Sequence, residues 1–135
     1  ANFVTFFYGE VDVHANTLTY GSAGHPPAVL INSHGHTELL PRTGIALGMF
    51  GDEKYESKTC PFDPGDLIAV YTDGLTEMAA PSGDLYGEDR LVEFLIENRE
   101  AEPEQIIARL LTEIETFSDQ APRTDDITLL LARRT

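Results

Sequence analysis

Two carboxylates occupy matching places in the chain, each at one end of a strongly apolar run. Asp73 follows the run LIAVY in the stretch LIAVYTDG, and Asp125 opens the stretch DDITLLLARR. If the two runs are antiparallel neighbours, the end of the first meets the start of the second and the carboxylates converge. Like charges brought together need a cation or a shared proton. An all-oxygen donor pair selects Mg²⁺ or Mn²⁺ over zinc or copper, and Gly74 permits a tight turn beside such an ion. The same spacing also fits an ordinary Asp73-Gly74 turn and a solvated Asp125-Asp126 loop. Two aspartates are too few for a complete metal site, so both readings stay open on spacing alone.

Other reactive side chains lack a partner at a useful spacing. His34 and His36 flank a glycine between two short strands and read as exposed decoration rather than as a metal set with His25. Cys60 sits beside Pro61 with no base near it in sequence, which argues against a nucleophile, and as the single cysteine it forms no internal disulfide. Arg123 reads as a surface ion-pair partner and Glu77 as an exposed acid after the turn. No residue is assigned a nucleophilic or acid–base role.

The elements that must position Asp73 and Asp125 divide into a strand-rich front and a helix-rich back. Residues 3–13, FVTFFYGEVDV, read as a long strand that turns through His14-Ala15-Asn16 into a partner over residues 17–24. Residues 28–32 form a third strand, followed by a glycine-containing turn and a short TELL strand. KYESKTC alternates as a half-exposed strand, and Asp63-Pro64-Gly65-Asp66 is a turn. LIAVY follows as a central strand buried on both faces. One helix starts at Glu88, with Leu91, Val92, Phe94, Leu95 and Ile96 on its apolar side. A second starts near Pro103 and carries Ile106, Ile107, Leu110, Leu111, Ile114 and Phe117 at helical spacing. TDDITLLLARR is expected to end the chain as another buried strand, introduced by two aspartates.

Composition bounds the function. The chain has 135 residues, 23 acidic and nine basic, for a net charge of −14. That charge repels nucleic acid and anionic membranes, and no apolar run reaches the ~18 residues of a membrane span. The acidic polar face of the second helix is likewise unlike a membrane binder. The single thiol and the absence of a leader pattern fit a cytoplasmic setting. The strand pattern is under way by residue 3 with no preceding cap, so the chain is expected to be the later part of a larger domain.

The stretches YTDGLTE, DDITLL, SAGHPP and IALG, with the PGDLIAVYTDG lead-in and the YGEDRL helix start, resemble in order and spacing the PPM-type, protein phosphatase 2C-like metal-dependent phosphatases. The resemblance is to the bacterial branch that regulates sporulation and stress-response sigma factors, and it covers nearly the whole chain. It implies an α+β fold, a layered sandwich of antiparallel sheets flanked by helices, with the N-terminal part missing. Residues 1–135 would then be a single unit, the C-terminal portion of the phosphatase domain.

The resemblance also implies that Asp73 and Asp125 are ligands of one metal, with Gly74, Asp126, Gly24 and His25 near the metal or substrate. The family uses two Mg²⁺ or Mn²⁺ ions to hydrolyse phosphoserine or phosphothreonine in line, with no phosphoenzyme. The implied substrate is a phosphorylated anti-sigma-factor antagonist. Nothing in residues 1–65 matches the family's first half, which supplies the metal-bridging aspartate. The fragment is therefore expected to be inactive alone and to pair through an exposed sheet edge. The alternative is a non-catalytic interaction module in the same signalling.

Overall fold

The computed structural model describes residues 2–135. Its strands form two antiparallel sheets. The first has the order β1 (Phe6–Asp12), β2 (Thr17–Ala23), β5 (Lys58–Pro61). The second has the order β4 (Thr37–Leu40), β3 (Ala28–Ile31), β6 (Leu67–Tyr71), β7 (Leu129–Arg133). Three helices complete it: α1 (Asp73–Thr76), α2 (Gly87–Asn98) and α3 (Pro103–Ser118).

Alternation along the strands builds two cores. Leu18 and Tyr20 of β2 meet Ala28 and Leu30 of β3, Leu40 of β4 and Ile68 of β6 between the sheets. The opposite residues, Val29 and Ile31 of β3 and Leu67, Ala69 and Tyr71 of β6, face α2 and α3. There they meet Leu91, Phe94 and Leu95 together with Ile106, Leu110 and Ile114. The order is therefore sheet, sheet, helices. LIAVY is buried on both faces as predicted, because it lies between β3 and β7 and is covered from both sides.

Several elements depart from the sequence-based expectations. The first strand begins at Phe6 rather than residue 3, because Val4 bridges to Leu47 instead of continuing along β2. β5 is shorter than KYESKTC and starts at Lys58. Residues 73–76, expected as a turn, coil into one helical turn. Leu111 is exposed, so the buried stripe of α3 is Ile106, Leu110 and Ile114. The largest correction concerns β7, expected to be buried. It lies at the sheet edge; Leu129 and Leu131 pack against the helical core, but Leu130 is 56% exposed because the first sheet does not extend over it.

The β6–β7 pair sets the geometry beyond it. Its register runs from Leu67↔Arg133 to Tyr71↔Leu129. One residue further, the Thr72 N–H donates to the Thr128 carbonyl at 3.1 Å, and the Thr128 N–H donates to Thr72 Oγ1 at 3.0 Å. Past that lock, Gly74 lies against the backbone of Asp125 and Asp126. A β-carbon there would sit 2.9 Å from the Asp126 carbonyl carbon and closer still to its oxygen. On the helix side, the buried Tyr71 hydroxyl donates to Glu88 Oε2 at 2.9 Å, tying α2 to the end of β6.

Two stability predictions follow from this junction. Gly74→Ala must push one backbone off the other and costs about 1–3 kcal/mol; a melting temperature equal to that of the parent chain would contradict the close approach. Burial, then the hydrogen bond to Glu88, raises the Tyr71 hydroxyl pKa above its ordinary value. The folded state thus keeps a proton that the unfolded chain releases near pH 10. Its contribution is complete below that pH and is lost as pH rises beyond it. Tyr71→Phe should cost about 1.5 kcal/mol at pH 7 and flatten the fall in stability above pH 10. Urea unfolding of both proteins across pH 7–11 reads the effect, and parallel profiles would contradict it.

Candidate metal centre

The end of β6 and the start of β7 come together through their antiparallel register, and the two aspartates stand just past that junction. Asp73 is the first residue of α1 and Asp125 lies four residues before β7. The direct measure of their proximity is Gly74, whose missing side chain leaves room for the backbone of residues 125 and 126. The start of β3 reaches the same end of the sheet, since Val29 pairs with Ala69 in the antiparallel sense.

Both carboxylates are exposed and neither joins an ion pair among the described residues. Asp125 Oδ1 accepts the N–H of Asp126 at 2.8 Å, whereas no hydrogen bond to the Asp73 carboxylate is present among the described residues. Two exposed aspartates on backbone segments that meet, without a protein cation, suit a hard divalent ion from the solvent. Oxygen-only donors and a glycine cradle fit Mg²⁺ or Mn²⁺. No group of three His, Cys, Asp or Glu residues with metal-binding geometry occurs among the described residues. The pair therefore offers only part of a coordination shell.

The other sequence candidates fall elsewhere. His25 is buried, and its Nδ1 lies 3.1 Å from Thr5 Oγ1, joining the β2–β3 turn to the N-terminal segment rather than to either aspartate. Gly24 has φ +64°, and a β-carbon on it would sit 2.6 Å from the Ala46 nitrogen. It is there for close backbone approach and a left-handed conformation. Asp126 is exposed and lends its carbonyl to the Gly74 contact. His34 and His36 are exposed at the opposite end of the sheet, beyond Ile31. Cys60 is half-buried, and burial pushes its thiol pKa up, away from nucleophilic use. Arg123 joins no ion pair among the described residues; it lines a concavity with Met78 and the end of α3. Glu77 is exposed.

Sequence reasoning missed two supports of the pair. The Thr72–Thr128 exchange holds the strand ends in register, and the Tyr71–Glu88 bond fixes α2 beside them. A threonine one residue before Asp73 and another three after Asp125 were the available signal. No local pattern links Tyr71 to Glu88, which are 17 residues apart.

Comparison with known proteins identifies the family and the fold. A family model described as Stage II sporulation protein E (SpoIIE) matches residues 1–135. Protein IcfG of Synechocystis sp. is 34% identical over 134 residues, 99% of this chain and 21% of its own length. Phosphoserine phosphatase RsbU of Bacillus subtilis is 28% identical over 133 residues, 98% of this chain and 39% of its own. The chain thus spans well under half the length of these curated relatives. The SiaA-PP2C domain of Pseudomonas aeruginosa superposes with a TM-score of 0.82 at 21% identity, covering 96% of this chain and 50% of that one. With its whole length matched, the chain belongs to the Stage II sporulation protein E (SpoIIE) family, and its fold is that of a PP2C-type phosphatase domain in part.

Proposed function

We propose that the chain is the C-terminal portion of a PPM-type phosphatase domain that hydrolyses phosphoserine or phosphothreonine on a regulatory protein. The observation that carries this reading is the meeting of the Asp73 and Asp125 strand ends with no protein cation between them. The similarity to a phosphoserine phosphatase supports it. The substrate class suggested by the resemblance is a phosphorylated anti-sigma-factor antagonist.

In this reading Asp73 and Asp125 hold one Mg²⁺ or Mn²⁺ ion of the two that the resemblance implies, and residues outside this chain complete the centre. A divalent ion there supplies Lewis acidity and cancels negative charge, which a chain at −14 needs before a phosphate dianion can approach. The chain's own residues contribute position. Thr72 and Thr128 hold the strand ends, Gly74 lets them touch, and the Tyr71–Glu88 bond keeps α2 in place. The isolated chain, with part of one shell, is inactive. The unpaired edge of β7 and the exposed Phe6 and Tyr8 of β1 are where a second chain would pair. No helix among the described residues is long and apolar enough to cross a membrane.

The absence of a three-ligand group among the described residues favours one rival, a non-catalytic interaction module of the same fold. Mn²⁺ titration with p-nitrophenyl phosphate separates the two. The longer protein that contains this chain should turn over in a Mn²⁺-dependent way while residues 1–135 alone do not. Asp73→Asn in the longer protein should lower turnover at least about 100-fold. A longer protein without Mn²⁺-dependent turnover would establish the rival, and full activity in Asp73→Asn would remove Asp73 from the centre.

A further inference from the structure

The basic residues of this acidic chain are mostly committed to holding the fold. Of the nine lysines and arginines, five arginines donate hydrogen bonds to acceptors within the protein. They are Arg90, Arg99, Arg109, Arg133 and Arg134. The other four, Arg42, Lys54, Lys58 and Arg123, make no hydrogen bond or ion pair through their side chains among the described residues. Their positions distinguish them. Lys58 begins the outer strand β5, Lys54 lies in the loop before it, and Arg123 lines the concavity at the end of α3.

Arg42 stands at the metal end of the second sheet. In that sheet the end of β4, Leu40, pairs with the start of β3, Ala28. β3 in turn runs antiparallel to β6, whose far end is Tyr71. Arg42 therefore lies two residues beyond its strand, as Asp73 lies two residues beyond β6. Two strand spacings, roughly 10 Å, separate the rows, and an extended arginine side chain covers much of that gap. Arg42 is exposed and lines an open, shallow concavity of about 620 Å³ with Gly24, Ala46 and Met49. Glu53 lines the same recess but forms no ion pair with it.

We propose that Arg42 is a substrate-binding residue whose guanidinium takes the phosphoryl oxygens of the phosphoserine or phosphothreonine beside the Asp73–Asp125 pair. The inference rests on the phosphatase reading above. A planar guanidinium matches phosphate with paired hydrogen bonds, which a lysine ammonium cannot reproduce. Arg42 is placed to do this without disturbing the fold, because it has no structural bond to give up.

The test uses the longer protein that contains this chain, with p-nitrophenyl phosphate as substrate and inorganic phosphate as inhibitor. In Arg42→Ala, KM and the phosphate inhibition constant should each rise about tenfold, the loss of one charge-assisted contact. kcat should stay within about threefold, and the Mn²⁺ concentration for half-activity should not move. Arg42→Lys should recover part of the loss. Unchanged KM and phosphate inhibition in Arg42→Ala would overturn the proposal, as would a shift confined to the Mn²⁺ requirement. If the parent protein shows no turnover, the phosphatase reading fails separately. Calorimetry of inorganic phosphate in the presence of Mn²⁺ then decides on Arg42 alone. Binding that weakens in Arg42→Ala supports it; equal binding, or none to the parent protein, overturns it.

Discussion

The antiparallel pairing of β6 with β7 is the constraint from which the rest of the site follows. Five residue pairs fix the register from Leu67↔Arg133 to Tyr71↔Leu129, and Thr72 and Thr128 extend it. A slip of one residue would turn Leu129 and Leu131 away from the helices and move Asp125 off its place. Burial of those two leucines against α2 and α3 therefore helps to hold together two backbone segments, around residues 73 and 125, that are more than fifty positions apart in sequence. Gly74 converts this pairing into contact, since only a residue without a β-carbon lets the turn after β6 rest on residues 125 and 126.

Charge gives that contact its meaning. Exposed carboxylates on an acidic protein repel one another weakly through water, so aspartates at one strand junction are tolerated without a ligand. They also repel a phosphate dianion, and the chain commits most of its arginines to its own carbonyls instead of spreading them over the site. On the proposed reading, a divalent cation on Asp73 and Asp125, with Arg42 to one side, would reverse the local sign while the surroundings stay acidic. This is why composition and site geometry point to one chemistry.

Much of this was legible in the sequence because local patterns and tertiary environment agreed. LIAVY reads as a doubly covered strand and is one; Pro103 marks the start of α3, and Asp63-Pro64-Gly65-Asp66 makes its turn. Aspartates at opposite ends of two apolar strands meet only if those strands are antiparallel neighbours, and β6 and β7 are. The failures are those of environment. TLLLA has the composition of a buried strand, but only Leu129 and Leu131 find cover, and Leu130 faces a side that the first sheet leaves open. Leu111 fits the helical period but falls outside the sheet's shadow. Val4 belongs by composition to the first strand, yet its partner is Leu47, a distant loop residue that no local pattern announces. Tyr71–Glu88 and the position of Arg42 are likewise tertiary facts, set by which strands become neighbours.

The central claim is that Asp73 and Asp125 are oxygen donors to one divalent ion. Crystals of the longer protein grown with Mn²⁺, measured for anomalous scattering from manganese, test it most directly. The account predicts a manganese peak within coordination distance of both carboxylates. A peak bound elsewhere, with Asp73 and Asp125 turned to solvent, would contradict it.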